Sequence, residues 1–208
     1  MNNLRAIQPK SFVPRTTTTN PNLKRSPNLL LDRQAPCCAN EVWVGDITYL
    51  PLADGQWAYL AVFMDLWSRV IVGWHVDDNM EEKLVIRAFN KGLERRQVKP
   101  GLILHTDGGS QYGSIAFRKI LRANECEQSM TRKDNHYDNA FSESLFSRFK
   151  AEVLEGGKFL NLEDARAECF EFIDAYYNTQ RKHSSLGNKK PLQFESEMEN
   201  CKESYYDE

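Results

Sequence analysis

Three runs rich in β-branched and aromatic residues, 42–50, 57–66 and 69–76, follow one another with only short turns between them. Such spacing leaves no room for a crossover helix, so consecutive runs must pair antiparallel, as a meander. Asp54-Gly55 and Ser68 supply the turn chemistry. After Val76 the pattern changes. Residues 81–96 put Leu84, Val85, Ala88, Phe89 and Leu93 on one helical face, Pro100-Gly101 ends that helix, and 102–104 reads as a short buried strand. A helix over 114–123, a strand near 126–130, a helix capped by Asp138 or Asn139 and running to about Leu154, and a last helix over 162–178 complete the series.

Three strands, a helix, a strand, a helix, a strand and then helices is the element order of the ribonuclease H-like fold. The expectation is an α/β protein with a mixed five-stranded sheet flanked by helices. Residues 1–40, rich in Pro, Thr and Asn, read as an extended basic arm, 41–195 as the core and 196–208 as an acidic tail. Within 1–36 six basic residues (Arg5, Lys10, Arg15, Lys24, Arg25, Arg33) face Asp32 alone, a tail or a nucleic-acid contact. The residues after Gln193 are mainly acidic and read as solvated. The overall charge of −2 argues mildly against nucleic-acid binding, and the uneven distribution softens that argument. The five cysteines show no CxxC spacing and read as reduced thiols. With no secretory signal and no apolar run of membrane length, a cytoplasmic location is expected.

Three carboxylates sit where packing does not call for them. Asp46 follows the apolar run 42–44, Asp107 follows 102–104, and Glu143 lies in the first turns of a helix, with 35 residues between it and Asp107. Two strand-end aspartates and a helical glutamate suit hard oxygen ligation of two divalent cations roughly 3.5–4 Å apart, the arrangement that drives phosphoryl transfer. Gly45, Gly108 and Gly109 beside them are expected to leave space for backbone or ligand approach. On the helix, Glu143, Phe146, Ser147 and Lys150 share a face at i, i+3, i+4 and i+7, so Lys150 can reach a phosphate two turns from Glu143. Asp65 competes as a ligand, but Ser68 and Arg69 nearby favour a turn cap or an ion pair. Asp134 and Asp138 suit turns and caps. His105 falls on the same side of its strand as Asp107 and reads equally as a neighbour of the site or as a packed histidine.

The stretches PNLLLDR, VWVGDITYL, FMDLWSRVIVGW, HTDGGSQY, SMTRKDNHYDNAFSESLFSRFKAE, and YYNTQRKHSSLG followed by KKPLQFE resemble, in order and spacing, the integrase-core transposases of insertion sequences of family 3, relatives of the retroviral integrases. The resemblance spans roughly nine-tenths of the chain. It implies a DDE site at Asp46, Asp107 and Glu143, with Lys150 as the accompanying basic residue. It implies Mg²⁺ or Mn²⁺ as cofactor, two ions when DNA is bound, and nicking at element ends followed by strand transfer of the 3′-hydroxyl. The implied partners are terminal inverted repeats, target DNA, further transposase protomers, and an upstream helix-turn-helix protein or fused region. Tyr137 and Asn139 are implied to lie near the catalytic helix. Arg181 and His183, with Ser184, fall in a family motif and are candidate DNA contacts without an assigned physical role. The sequence departs from the family at Gly108, where an arginine is usual. A catalytically silent fragment that binds DNA or intact transposase is the alternative reading, and a nuclease acting on RNA–DNA hybrids is a weaker one.

Overall fold

The computed structural model describes residues 25–132, 140–154 and 157–204, with the backbone alone at 140–143 and 200–204. Strands β1 (Val42–Pro51), β2 (Trp57–Asp65) and β3 (Ile71–Asp77) form the expected meander. Helix α1 (Glu82–Arg95), strand β4 (Ile103–Thr106), a single helical turn α2 (Ser110–Gly113), α3 (Ile115–Ala123) and β5 (Glu127–Met130) follow. The sheet order is β3-β2-β1-β4-β5, so β1 is central. It runs antiparallel to β2 and parallel to β4, and β4 runs parallel to β5. The mixed sheet is the one the element order called for.

Two cores lie on opposite faces. Trp43, Phe63, Val72, Leu104 and Met130 pack under α1, α2 and α3, where Phe89, Phe117 and Tyr112 join them. Val44, Val62, Met64 and Trp74 pack under α4 (Ala140–Phe149) and α5 (Leu162–Phe170), with Leu145, Phe149, Phe172 and Tyr177. Strand alternation produces this split: Val44 faces one core, and Trp43 and Gly45 the other. Helix α4 passes into a π-helical turn at Lys150–Leu154, and α5 into a π-helical stretch at Glu171–Tyr177. Caps fix two helix starts, Ser114 Oγ accepting from Phe117 N–H at 3.1 Å and Asn161 Oδ1 from Asp164 N–H at 3.0 Å. No helix among the described residues is long and apolar enough to cross a membrane.

Two expectations need correction. The acidic residues after Gln193 read as solvated, but Glu195 is buried on helix α6, Pro191–Ser204, where Ser196, Met198 and Glu199 remain exposed. Phe194 sets its ring 5.1 Å from Trp67, and Glu195, buried, pairs with Arg96. Charge counting missed the helix because one ion pair and one aromatic contact anchor a mostly polar element. Its signal was the spacing of Pro191, Phe194, Glu195 and Met198. Nor does Gly45 leave room for a ligand. A Cβ there would lie 2.3 Å from Cε1 of Phe63, whose ring already fills the space.

The described part of the arm has neither helix nor strand, and it is docked. Met130 N–H donates to Pro27 O at 3.1 Å, Leu29 N–H to Ser129 Oγ at 2.9 Å, and Ser26 Oγ to Gln128 Oε1 at 2.9 Å. Residues 25–30 therefore lie along the outer edge of β5.

Candidate active site

Strand β1 continues to Pro51, whereas β4 stops at Thr106, the partner of Gly45. The β1–β4 ladder ends there, at the carboxyl end of β4, where open α/β sheets place ligands. Val44 pairs with His105, so the next residues of the same parity, Asp46 and Asp107, emerge on that same face of the sheet. It is the face covered by α4. Both carboxylates are partly buried. Asp107 Oδ1 accepts from Gly109 N–H at 3.0 Å, and Asp46 Oδ1 from Ile47 N–H at 2.8 Å. Burial pushes the Asp107 carboxyl above its ordinary value, while the Gly109 N–H and the Arg25 guanidinium pull it back.

Glu143 lies on α4, and its side chain is outside the described residues. Tyr137 and Asn139 also fall outside them. Lys150 begins the π-helical turn that extends α4. Much of its side chain is solvent-accessible, yet desolvation lowers the ammonium's pKa, and the Asp46 carboxylate pulls it back, so Lys150 feels the charge of Asp46.

Sequence reasoning missed Tyr112. Its ring is buried in the aromatic cluster with Phe63 and Phe117. Its hydroxyl is buried with no hydrogen-bond partner among the described residues. Burial and the charges of Asp46 and Asp107 push that phenol well above its ordinary value. The available signal was the tyrosine of HTDGGSQY, five residues after Asp107. Asp46 and Asp107 offer hard carboxylate oxygens, which fit Mg²⁺ or Mn²⁺ and do not fit a soft metal.

The other candidates sit elsewhere. Asp65 is fully buried and accepts from Trp67 N–H, Ser68 N–H, Ser68 Oγ and Asn40 N–H, a turn cap. His105 is buried against Ser129 Oγ at 2.8 Å. Arg181 pairs with Glu152 at 3.0 Å and lies over the Tyr177 ring. His183 packs edge-on against Tyr177, ring centroids 4.9 Å apart, on a cavity of about 220 Å³ that Arg69, Arg148 and Ser185 also line. Burial, then the charges of Arg181, Arg69 and Arg148, push the His183 imidazole down to about 4.

The fold is that of retroviral integrase cores. The HTLV-2 integrase catalytic core domain in complex with magnesium superposes with a TM-score of 0.57 at 16% identity, over 76% of this chain and 98% of that one. Two integrase core domain family models match, over residues 36–136 and 124–191. The chain is 43% identical over 169 residues to the transposase for insertion sequence element IS904 of Lactococcus lactis subsp. lactis (strain IL1403), covering 81% of this chain and 66% of the relative. It is 39% identical over 193 residues to transposase InsF for insertion sequence IS3A of Escherichia coli (strain K12), covering 93% of this chain and 66% of that protein. The chain belongs to the integrase core family, in the branch of the insertion-sequence transposases. It spans about two-thirds of the length of these relatives.

Proposed function

We propose that this chain is the catalytic core of a DNA transposase, a polynucleotidyl transferase that nicks the ends of an insertion sequence and joins the freed 3′-hydroxyl to target DNA. The observation that carries the reading is the end of the β1–β4 ladder at Thr106. There the register carries Asp46 and Asp107 to one face, Lys150 after α4 feels the charge of Asp46, and the buried Tyr112 hydroxyl has no partner among the described residues. The relatives named as transposases and the fold neighbour that binds magnesium support it.

In this reading Asp46, Asp107 and Glu143 hold Mg²⁺ or Mn²⁺. Two such ions, when bound, would activate the attacking water or 3′-hydroxyl and stabilise the leaving oxygen. Asp46 and Asp107 come from a rigid sheet and lose little side-chain entropy on binding. Asp107 is further oriented by the Gly109 N–H. Lys150 offers a cation to a phosphate of the bound strand. DNA, further protomers and an upstream recognition region complete the proposed assembly.

The test is metal-dependent nicking and joining of a labelled element-end duplex by wild type and by Glu143→Gln. Activity in wild type that the variant lacks is the expected result. Equal activity in both would remove Glu143 from the site, and no activity even after fusion to an upstream recognition domain would overturn the reading.

A further inference from the structure

Gly108 lies between Asp107 and Gly109, and the space a side chain would take there is filled from elsewhere. A Cβ built on Gly108 would lie 2.3 Å from Cζ and from Nη2 of Arg25, and 2.4 Å from its Nη1. The guanidinium therefore sits flat on the glycine. The docked arm holds it there: Arg25 Nη2 donates to Thr131 O at 2.9 Å, and the next residues are bonded along β5 through Ser26, Pro27 and Leu29. Gly108 has no special backbone conformation to explain it, since its φ is not positive. What the position needs is the missing Cβ.

We infer that Arg25 is a substrate-contacting residue of the active site, delivered by the arm onto Gly108 to bind the DNA phosphate that comes to Asp107. This rests on the proposed function above. Arginine carries five N–H donors in a planar fork, and pinning the arm to Thr131 O uses only one side of it. A neutral side chain would pin the arm as well. The charge of Arg25 reaches the Asp107 carboxylate. A fixed guanidinium beside a centre that gathers divalent cations is repelled unless an anion arrives with them. The phosphodiester is that anion, and a fork of N–H donors matches its oxygens.

The test measures binding of a labelled element-end duplex to the full chain in metal-free buffer as a function of salt, where no cleavage competes, together with steady-state nicking in Mg²⁺. Arg25→Ala is expected to reduce the magnitude of the salt slope by about one, the loss of one phosphate contact. Gly108→Ala changes no charge but evicts the guanidinium, and the same reduction is expected from it. The double variant should be no worse than either single one. In nicking, both should lower kcat roughly tenfold, the scale of one lost charged hydrogen bond, with little change in KM. Wild-type slopes in Arg25→Ala, or a wild-type slope in Gly108→Ala beside a reduced one in Arg25→Ala, would overturn the inference. In the second case the arm would act only as general basic charge. Slopes that change as expected in the variants, beside a wild type unable to nick even when fused to an upstream recognition domain, would sink the transposase reading and leave the phosphate seat standing.

Discussion

Asn178 satisfies both backbone groups of Ile71: its Oδ1 accepts from the Ile71 N–H at 2.9 Å, and its Nδ2 donates to the Ile71 C=O at 3.0 Å. Asn178 is buried at the end of the π-helical stretch, and Ile71 opens the edge strand β3. Asn178→Ala would orphan two buried backbone groups at a cost of roughly 1–3 kcal/mol each. Urea unfolding should show a lowered midpoint with an unchanged slope. A midpoint like that of wild type would mean that water replaces the amide without cost.

Helix α1 and strand β3 touch backbone to backbone. A Cβ at Gly73 would lie 2.2 Å from Ala88 O and 2.7 Å from Gly92 N, neither of which can swing aside. Gly73→Ala should destabilise by about 1–3 kcal/mol or more, measured in the same unfolding assay. A neutral result would show that α1 slides on the sheet.

Asp107 should oppose stability until a cation arrives. Burial raises its folded pKa above the unfolded value, so the ionised form costs stability at neutral pH, and that cost vanishes as pH falls below the unfolded value. Asparagine is neutral and still accepts from Gly109 N–H. Asp107→Asn should therefore melt higher than wild type at pH 7 without metal. The difference should shrink toward pH 4 and when Mg²⁺ is added to wild type alone. In calorimetry, Asp46→Asn and Asp107→Asn should each lose Mg²⁺ binding. A lower melting temperature in Asp107→Asn would refute the argument.

His75 and His183 both have imidazoles pushed down to about 4, chiefly by burial. Their folded values lie below the ordinary imidazole value of 6.5, so the unfolded chain takes up protons first. Their contribution to stability is complete above that value and is lost as pH falls toward 4. Proton NMR of the ring Hε1 signals should give midpoints near 4 for both. A midpoint near 6.5 for either would mean that its ring is solvated.

Lys150→Ala should lower nicking by about tenfold, the scale of a charged hydrogen bond to phosphate. Binding of the duplex should weaken modestly and melting should change little. Unchanged turnover would detach Lys150 from the site.

Much of this was legible in the sequence, because periodicity and turn chemistry are local. The meander, α1, α3 and the buried strand before Asp107 all follow from short windows of residues. The rest depends on contacts far apart in the chain. Gly45 looked open because a neighbour-by-neighbour reading cannot see Phe63 arriving from β2. Asp65 was a stronger inference, since its cap partners Trp67 and Ser68 are adjacent. The motif YYNTQRKHSSLG offered no physical role at first. In the structure Tyr177 donates to Met64 Sδ at 3.6 Å and Asn178 holds Ile71, so part of that motif anchors the helix to the sheet. Arg25 was one of six basic residues in an arm without pattern, and only its docking against β5 distinguishes it.

Both outer edges of the sheet are occupied from within the chain. Pro27 takes the Met130 N–H along β5, while Asn178 and Arg166 take the Ile71 and Val76 groups along β3. Open strand edges are the usual place for one protein to add to another's sheet. A foreign strand would have to evict these groups first. In the proposed assembly, copies of this chain would therefore meet through helices and loops rather than through these sheet edges.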